Sequence, residues 1–208
     1  MRAMTVRPES DSIWVDGWWS SASLTRSSNF GPRPPNINID LLVIHSISLP
    51  PGEFGTDNVH ALFTNKLDWD AHPYFSSIRG LQVSSHFFIT RSGDICQFVS
   101  CDQRAWHAGQ SSYCGRSNCN DSSIGIELEG IEGGHFETIQ YAQLAALCKS
   151  IQTQYPVAHV AGHEHIAPGR KSDPGTGFNW TFLQQLTAFP DHFFPTETLA
   201  PEDAKRGV

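Results

Sequence analysis

The sequence predicts an α/β protein, a single domain with a central mixed β-sheet flanked by helices. Three observations carry that expectation. Short β-rich runs alternate along the chain with segments of helical period. The first run, Leu-Leu-Val-Ile at 41–44, is continuously apolar, as a strand buried on both faces should be. And 208 residues, 39% of them hydrophobic and 17% charged, suffice for one full core.

Taken in order, residues 1–35 are rich in Ser, Pro and Arg. They read as an irregular N-terminal arm whose Trp14, Trp18 and Trp19 pack onto the domain. The domain proper spans 36–190, and its first strand closes in His45. A Pro/Gly loop at 48–56 leads to a short helix through Val59, Leu62 and Phe63, which Asp57 or Asn58 can cap. The polar-aromatic stretch DWDAHPYFSS, 68–77, reads as a loop. Residues 83–90 and 95–99 flank Arg-Ser-Gly-Asp and read as a hairpin, with His86 inside its first strand. A long loop at 104–120 carries Trp106 and His107, and SIGIEL at 123–128 is a further strand. Thr138 can cap the strongest helix, which runs to about Tyr155 with Tyr141, Leu144, Ala145, Cys148 and Ile151 at helical spacing. A short strand at 157–161 enters a Gly/Pro-rich segment. A last helix at 179–188 follows, with Trp180, Phe182, Leu183 and Leu186, and then a polar tail at 191–208.

The formal net charge of −7 argues against a nucleic-acid or anionic-membrane partner, whose footprint would be basic. No apolar run approaches the roughly 20 residues that span a bilayer. The N-terminal stretch MRAMTVRPESDSIWVDGWWSS has no apolar core of the secretory kind, so a cytoplasmic location is expected. Five cysteines, an odd and sparse set, suit reduced thiols. Cys114 and Cys119 could be half of a zinc site, but no second cysteine pair completes it.

Chemistry concentrates in GHEHIAPGRKSDPG, residues 162–175. Prolines 168 and 174 and glycines 162, 169 and 175 break regular structure there, so the segment is expected to be non-helical. A loop this polar is either solvated surface or a site held on a rigid scaffold. Two imidazoles and a carboxylate, from His45, His163 and Asp173, form a common ligand set for a catalytic zinc. Each also has an ordinary alternative: His45 as a satisfied strand-end histidine, Asp173 as the start of a turn. In an extended segment His163 and His165 would face the same way, so spacing does not choose between them. On 123–128, alternation points Gly125 and Glu127 one way, Ile126 and Leu128 the other. A carboxylate on a core strand is costly without a partner or a job, whereas on an edge strand Glu127 would be solvated. Lys171 could be a plain surface lysine.

Seven stretches, in order, carry a resemblance: VIHSISLPPGEFG (43–55), ALFTNKLD (61–68), HPYF (72–75), VSSHFFI (83–89), RAWHAG (104–109), CNDSSIGIELEG (119–130) and GHEHIAPGRKSDPG (162–175). Covering about 30–186, they resemble the AmpD-like 1,6-anhydro-N-acetylmuramyl-L-alanine amidases. That is a branch of the zinc-dependent N-acetylmuramoyl-L-alanine amidase family, related to phage lysozyme-like amidases and peptidoglycan recognition proteins. The resemblance implies the zinc amidase fold, with Zn2+ held by His45, His163 and Asp173. It implies Glu127 and Lys171 as catalytic residues, and Trp106, His107 and Arg170 in the substrate groove. The implied reaction is hydrolysis of the amide joining the lactyl group of (1,6-anhydro)-N-acetylmuramic acid to L-alanine in muropeptides, in peptidoglycan recycling. A cytoplasmic monomer is expected, with no nucleic-acid or membrane partner. Ser46, Asn118 and His165 depart from the family pattern, which has Asn, Arg and Asp there; the departures bear on recognition rather than on the metal. Relatives that only bind wall fragments lack a zinc ligand, so the complete set here points to an enzyme.

Overall fold

The computed structural model describes residues 13–196. The start of the expected N-terminal arm, 1–12, and the end of the expected tail, 197–208, lie outside the described residues.

Six strands build the central sheet: β1 (Ser23–Leu24), β2 (Leu41–Ile47), β3 (Phe87–Ile89), β4 (Ile95–Gln97), β5 (Ser123–Glu129) and β6 (His159–Gly162). Their order is β6-β2-β5-β3-β4-β1. β6, β2, β5 and β3 are mutually parallel, β4 returns antiparallel to β3 as the expected hairpin, and β1 lies parallel to β4. The sheet is mixed, as the sequence predicts. Parallel neighbours need crossovers. Helices α1 (Asn58–Phe63) and α2 (Pro73–Ser77) lie between β2 and β3. Helix α3 (Thr138–Gln152) lies between β5 and β6, and α4 (His163–Ile166) and α5 (Trp180–Thr187) follow β6.

Strand alternation gives the sheet two unlike faces. Leu42 and Ile44 of β2, Phe87 and Ile89 of β3, and Ile124, Ile126 and Leu128 of β5 point to one face. Tyr141, Leu144, Cys148 and Ile151 of α3 cover them, with Trp180 and Leu183 of α5. The opposite face is apolar in two patches. Leu41 and Val43 meet Ala108, Ala161 and Ile166 in one, and Phe88 meets Leu62, Phe63 and Phe75 in the other. Between those patches it buries His45, His86 and Glu127.

Four local features differ from the sequence reading. Glu137, not Thr138, caps α3. Its N–H donates to Gln140 Oε1 (3.0 Å), while Gln140 Nε2 donates to the Glu129 carbonyl (3.0 Å), so one buried glutamine closes the helix start and ties it to β5. The 68–77 stretch contains α2, with Pro73 in the first turn and His72 Nδ1 accepting from the Tyr74 N–H (3.1 Å). Segment 162–175 opens with the single helical turn α4. A proline restricts the residue before it, and α4 stops there, at Ala167 with φ −141°. Finally, part of the arm is regular. Trp14–Val15 pairs with Trp18–Trp19, Trp19 is buried under Trp14 (ring centroids 6.1 Å apart), and β1 extends the sheet. No helix among the described residues is long and apolar enough to cross a membrane.

Candidate active site

Register brings the polar residues together. β2 and β5 pair so that His45 lies beside Glu127, and β6 pairs Gly162 with Ile44, so His163 leaves the sheet next to His45. These are carboxyl ends of parallel strands, where α/β sheets gather ligands. The helical turn then separates the two candidate histidines. Residues two apart in a helix diverge by roughly 200°. His163 faces His45, with ring centroids 4.5 Å apart. His165 turns back: its Nδ1 accepts from the Gly162 N–H (2.8 Å) and its ring meets Trp180 edge-on at 5.3 Å. The returning loop is pinned by the Glu164 N–H on the Asp173 carbonyl (2.9 Å).

His45 Nδ1, His163 Nδ1 and Asp173 Oδ2 form a triangle with edges of 3.0, 3.1 and 3.2 Å. A tetrahedral metal with bonds of about 2.0–2.1 Å sets its donors about 3.3 Å apart, so this triangle is of the size such an ion needs. Among the described residues these are the His, Cys, Asp and Glu side chains that gather closely enough to hold a metal. Burial pushes the His45 imidazole down to about 4, against the opposing Asp173, so it is a neutral donor at neutral pH. Asp173 stays ionised. Burial works against this, but the closeness of the His163 and His45 rings outweighs it and holds its carboxyl well below the usual range.

Glu127 shares the cavity with the triangle, and its Oε2 is buried with no hydrogen-bond partner. Burial first, then the Asp173 charge, raises its carboxyl well above the ordinary value, while Lys171 opposes them. Lys171 is exposed at the cavity rim. Trp106 and Ser46 line the same cavity, and Leu49, Leu62, Ile78 and Leu81 form an apolar wall. His107 lies on the cavity floor beneath His45, with 2.9 Å between His107 Nδ1 and His45 Nε2. Arg170, expected in the groove, is not among the residues lining the cavity. Its Nε donates to the Gln110 carbonyl (3.0 Å) and its Nη2 to the Ala108 carbonyl (2.7 Å). A planar guanidinium fork fits two nearby carbonyls of one turn.

Sequence reasoning passed over Asn120, Ser123 and Gly125. A Cβ on Gly125 would come within 2.5 Å of His107 Cγ, so the glycine makes room for that ring. A glycine inside a core strand is the available signal of such a close approach.

The chain with this sheet and this cavity belongs to the N-acetylmuramoyl-L-alanine amidases, whose family model matches residues 35–176. Within that family it is 49% identical over 179 residues to the 1,6-anhydro-N-acetylmuramyl-L-alanine amidase AmpD of Citrobacter freundii, covering 85% of this chain and 96% of that protein. A crystal structure of a selenomethionine derivative of AmpD is 49% identical and superposes with a TM-score of 0.82, over 84% of this chain and 98% of that one. AmiD of E. coli, solved in complex with the substrate anhydro-N-acetylmuramic acid-L-Ala-D-γ-Glu-L-Lys, is 29% identical. It superposes with a TM-score of 0.52 over 84% of this chain and 65% of that one.

Proposed function

We propose that the chain hydrolyses the amide between the lactyl carbonyl of (1,6-anhydro)-N-acetylmuramic acid and L-alanine in muropeptides, as a step of peptidoglycan recycling. His45, His163 and Asp173 would hold zinc. One observation carries this reading: a three-donor triangle and the unpartnered buried oxygen of Glu127 face one cavity. Two imidazoles and a carboxylate suit zinc better than magnesium or calcium, which prefer all-oxygen sets. Likeness to AmpD, and to AmiD with its anhydromuramyl peptide, supports the substrate class.

When bound, zinc supplies Lewis acidity, acidifying a water and polarising the amide carbonyl. Glu127 moves the proton. Its raised carboxyl takes a proton from the attacking water and returns it to the alanine nitrogen as the C–N bond breaks. Lys171 favours the ionised Glu127 before attack, and its charge offsets the negative charge growing on the carbonyl oxygen. Trp106 and the apolar wall keep water from one side of the cavity and offer a surface to sugar or peptide. The reading takes it as a cytoplasmic monomer, which cell fractionation and sedimentation check.

Mass spectrometry of anhydromuropeptides incubated with the zinc-loaded chain tests the reading. Free anhydromuramic product and an intact L-alanyl peptide should appear, and a strong chelator should abolish both. Cleavage elsewhere in the substrate, or none, would sink it.

A further inference from the structure

We propose that His107 and Ala108 of the RAWHAG segment, residues 104–109, belong to the outer shell of the metal centre rather than to a wall for substrate. His107 and the Ala108 carbonyl fix the proton on the far nitrogen of each histidine, and so keep both Nδ1 lone pairs turned to the metal. The inference rests on the reading of His45, His163 and Asp173 as metal ligands.

The direction of each hydrogen bond follows from where its chain ends. His45 offers Nδ1 to the triangle, which leaves its Nε2 facing His107 Nδ1 at 2.9 Å. Only one of those two nitrogens carries the hydrogen. His107 Nε2 lies 3.2 Å from Ser123 Oγ, and the Ser123 hydroxyl donates to the Cys119 carbonyl at 2.6 Å. A carbonyl only accepts, so the serine hydrogen is committed and Ser123 Oγ accepts from the ring. His107 therefore carries its hydrogen on Nε2 and a lone pair on Nδ1. His45 Nε2–H must then donate, and His45 Nδ1 is free.

The second histidine is set more directly. His163 Nε2 lies 3.1 Å from the Ala108 carbonyl, again an acceptor only, and Arg170 Nη2, 3.4 Å away, spends its two hydrogens on the Ala108 and Gln110 carbonyls, so Nε2 holds the hydrogen and Nδ1 the lone pair. That carbonyl is braced. Arg170 Nη2 donates to it at 2.7 Å, and Asn120 Oδ1 accepts from the Ala108 N–H (2.8 Å) and the His107 N–H (3.1 Å). Gly125 completes the arrangement, because any side chain there would displace the His107 ring. This gives Arg170 an account that the groove assignment does not: it acts on the ligand His163 through one carbonyl. Partners of this kind orient a ligand and raise its basicity, and their loss typically weakens metal binding roughly 10–100-fold.

The test measures zinc affinity of the full chain by competition with a chromophoric chelator, for the parent, His107→Leu and His107→Asn. An asparagine Oδ1 lies near the position of the lost Nδ1 and accepts from His45 Nε2–H. The Leu variant should bind zinc roughly 10–100-fold more weakly and the Asn variant within a few-fold of the parent. Long-range nitrogen–proton spectra of the zinc-loaded parent should show the hydrogen on Nε2 of His45, His107 and His163. A folded Leu variant with parental affinity, or a hydrogen on His107 Nδ1, overturns the proposal. If the Leu variant does not fold, the spectrum alone decides. A parent that binds no zinc removes the metal reading and this one together. A parent that binds zinc while the variant or spectrum disagrees removes only this one.

Discussion

On β5, Ile124, Ile126 and Leu128 face α3 and α5, while Ser123, Gly125 and Glu127 face the cavity side. On β2 the same alternation separates Leu42 and Ile44 from His45. The helix face is apolar at these positions, and each of those groups depends only on being enclosed. The cavity face buries imidazoles and a carboxylate, and each of those depends on a particular partner. Substitutions on the two faces should therefore fail in different ways. One face should lose stability and keep its chemistry; the other should lose chemistry at a modest structural cost.

The largest effect is expected from removing a donor. His163→Ala should lose stoichiometric zinc, measured by elemental analysis, and all amide cleavage. His165→Ala should keep both, since its ring turns to Gly162 and Trp180. The reverse outcome would move the metal to the other side of α4. Next comes Glu127→Gln, which keeps size and removes the proton acceptor. Zinc content should persist while turnover falls by roughly 10²-fold or more. Loss of zinc in this variant would make Glu127 a ligand or a ligand support.

The helix face supplies the contrast. Leu144→Ala, at a fully buried position, should lower unfolding free energy by roughly 2–5 kcal/mol in urea titrations. Turnover per folded molecule should stay at the parent value. A drop in turnover with zinc intact would mean that the faces are coupled, and the comparison would break.

The two faces were also unequally legible in the sequence. The apolar run of β2, the alternation of β5 and the helical spacing of α3 are local patterns, and they predicted both faces and the mixed sheet. The two-residue β1 is too short to carry any pattern, and its pairing with β4 depends on contacts 73 residues away in sequence. In the site, His45, Glu127 and Asp173 come from strand ends and loop chemistry, read with the family resemblance. Spacing left His163 and His165 open and the resemblance chose His163; the backbone conformation supplies the physical reason. An extended segment would point both the same way, and one helical turn points them apart. The motifs placed Arg170 and His107 in the substrate groove, but not their hydrogen-bond partners, because a long or ring-bearing polar side chain finds its partner only when the fold closes. Gly125 was the readable signal that something fills the space beside β5.

The smallest effect is one of pH, and it sharpens the comparison because only the cavity face should show it. His86 is fully buried, its Nδ1 accepts from the Gly125 N–H (3.0 Å), and its Nε2 lies 3.0 Å from the Gln103 carbonyl. Burial first, and then the neighbouring Arg33 charge, push it down to about 3. In the unfolded chain a histidine titrates near 6.5, so between about 3 and 6.5 the unfolded state binds a proton that the folded state refuses. Stability from this group is complete above the unfolded value and is lost as pH falls through that window. The loss is roughly 1.5 kcal/mol between pH 6.5 and pH 5. His86→Asn keeps an acceptor near the Gly125 N–H and removes the titration. It should be less stable than the parent at pH 7.5 but lose less on acidification, so the two curves of unfolding free energy against pH converge. The deficit of Leu144→Ala should stay constant over the same range, since no proton is taken up there. If His86→Asn runs parallel to the parent from pH 7.5 to pH 5, His86 is not the source of the slope, and the acid sensitivity belongs to the other buried imidazoles of that face.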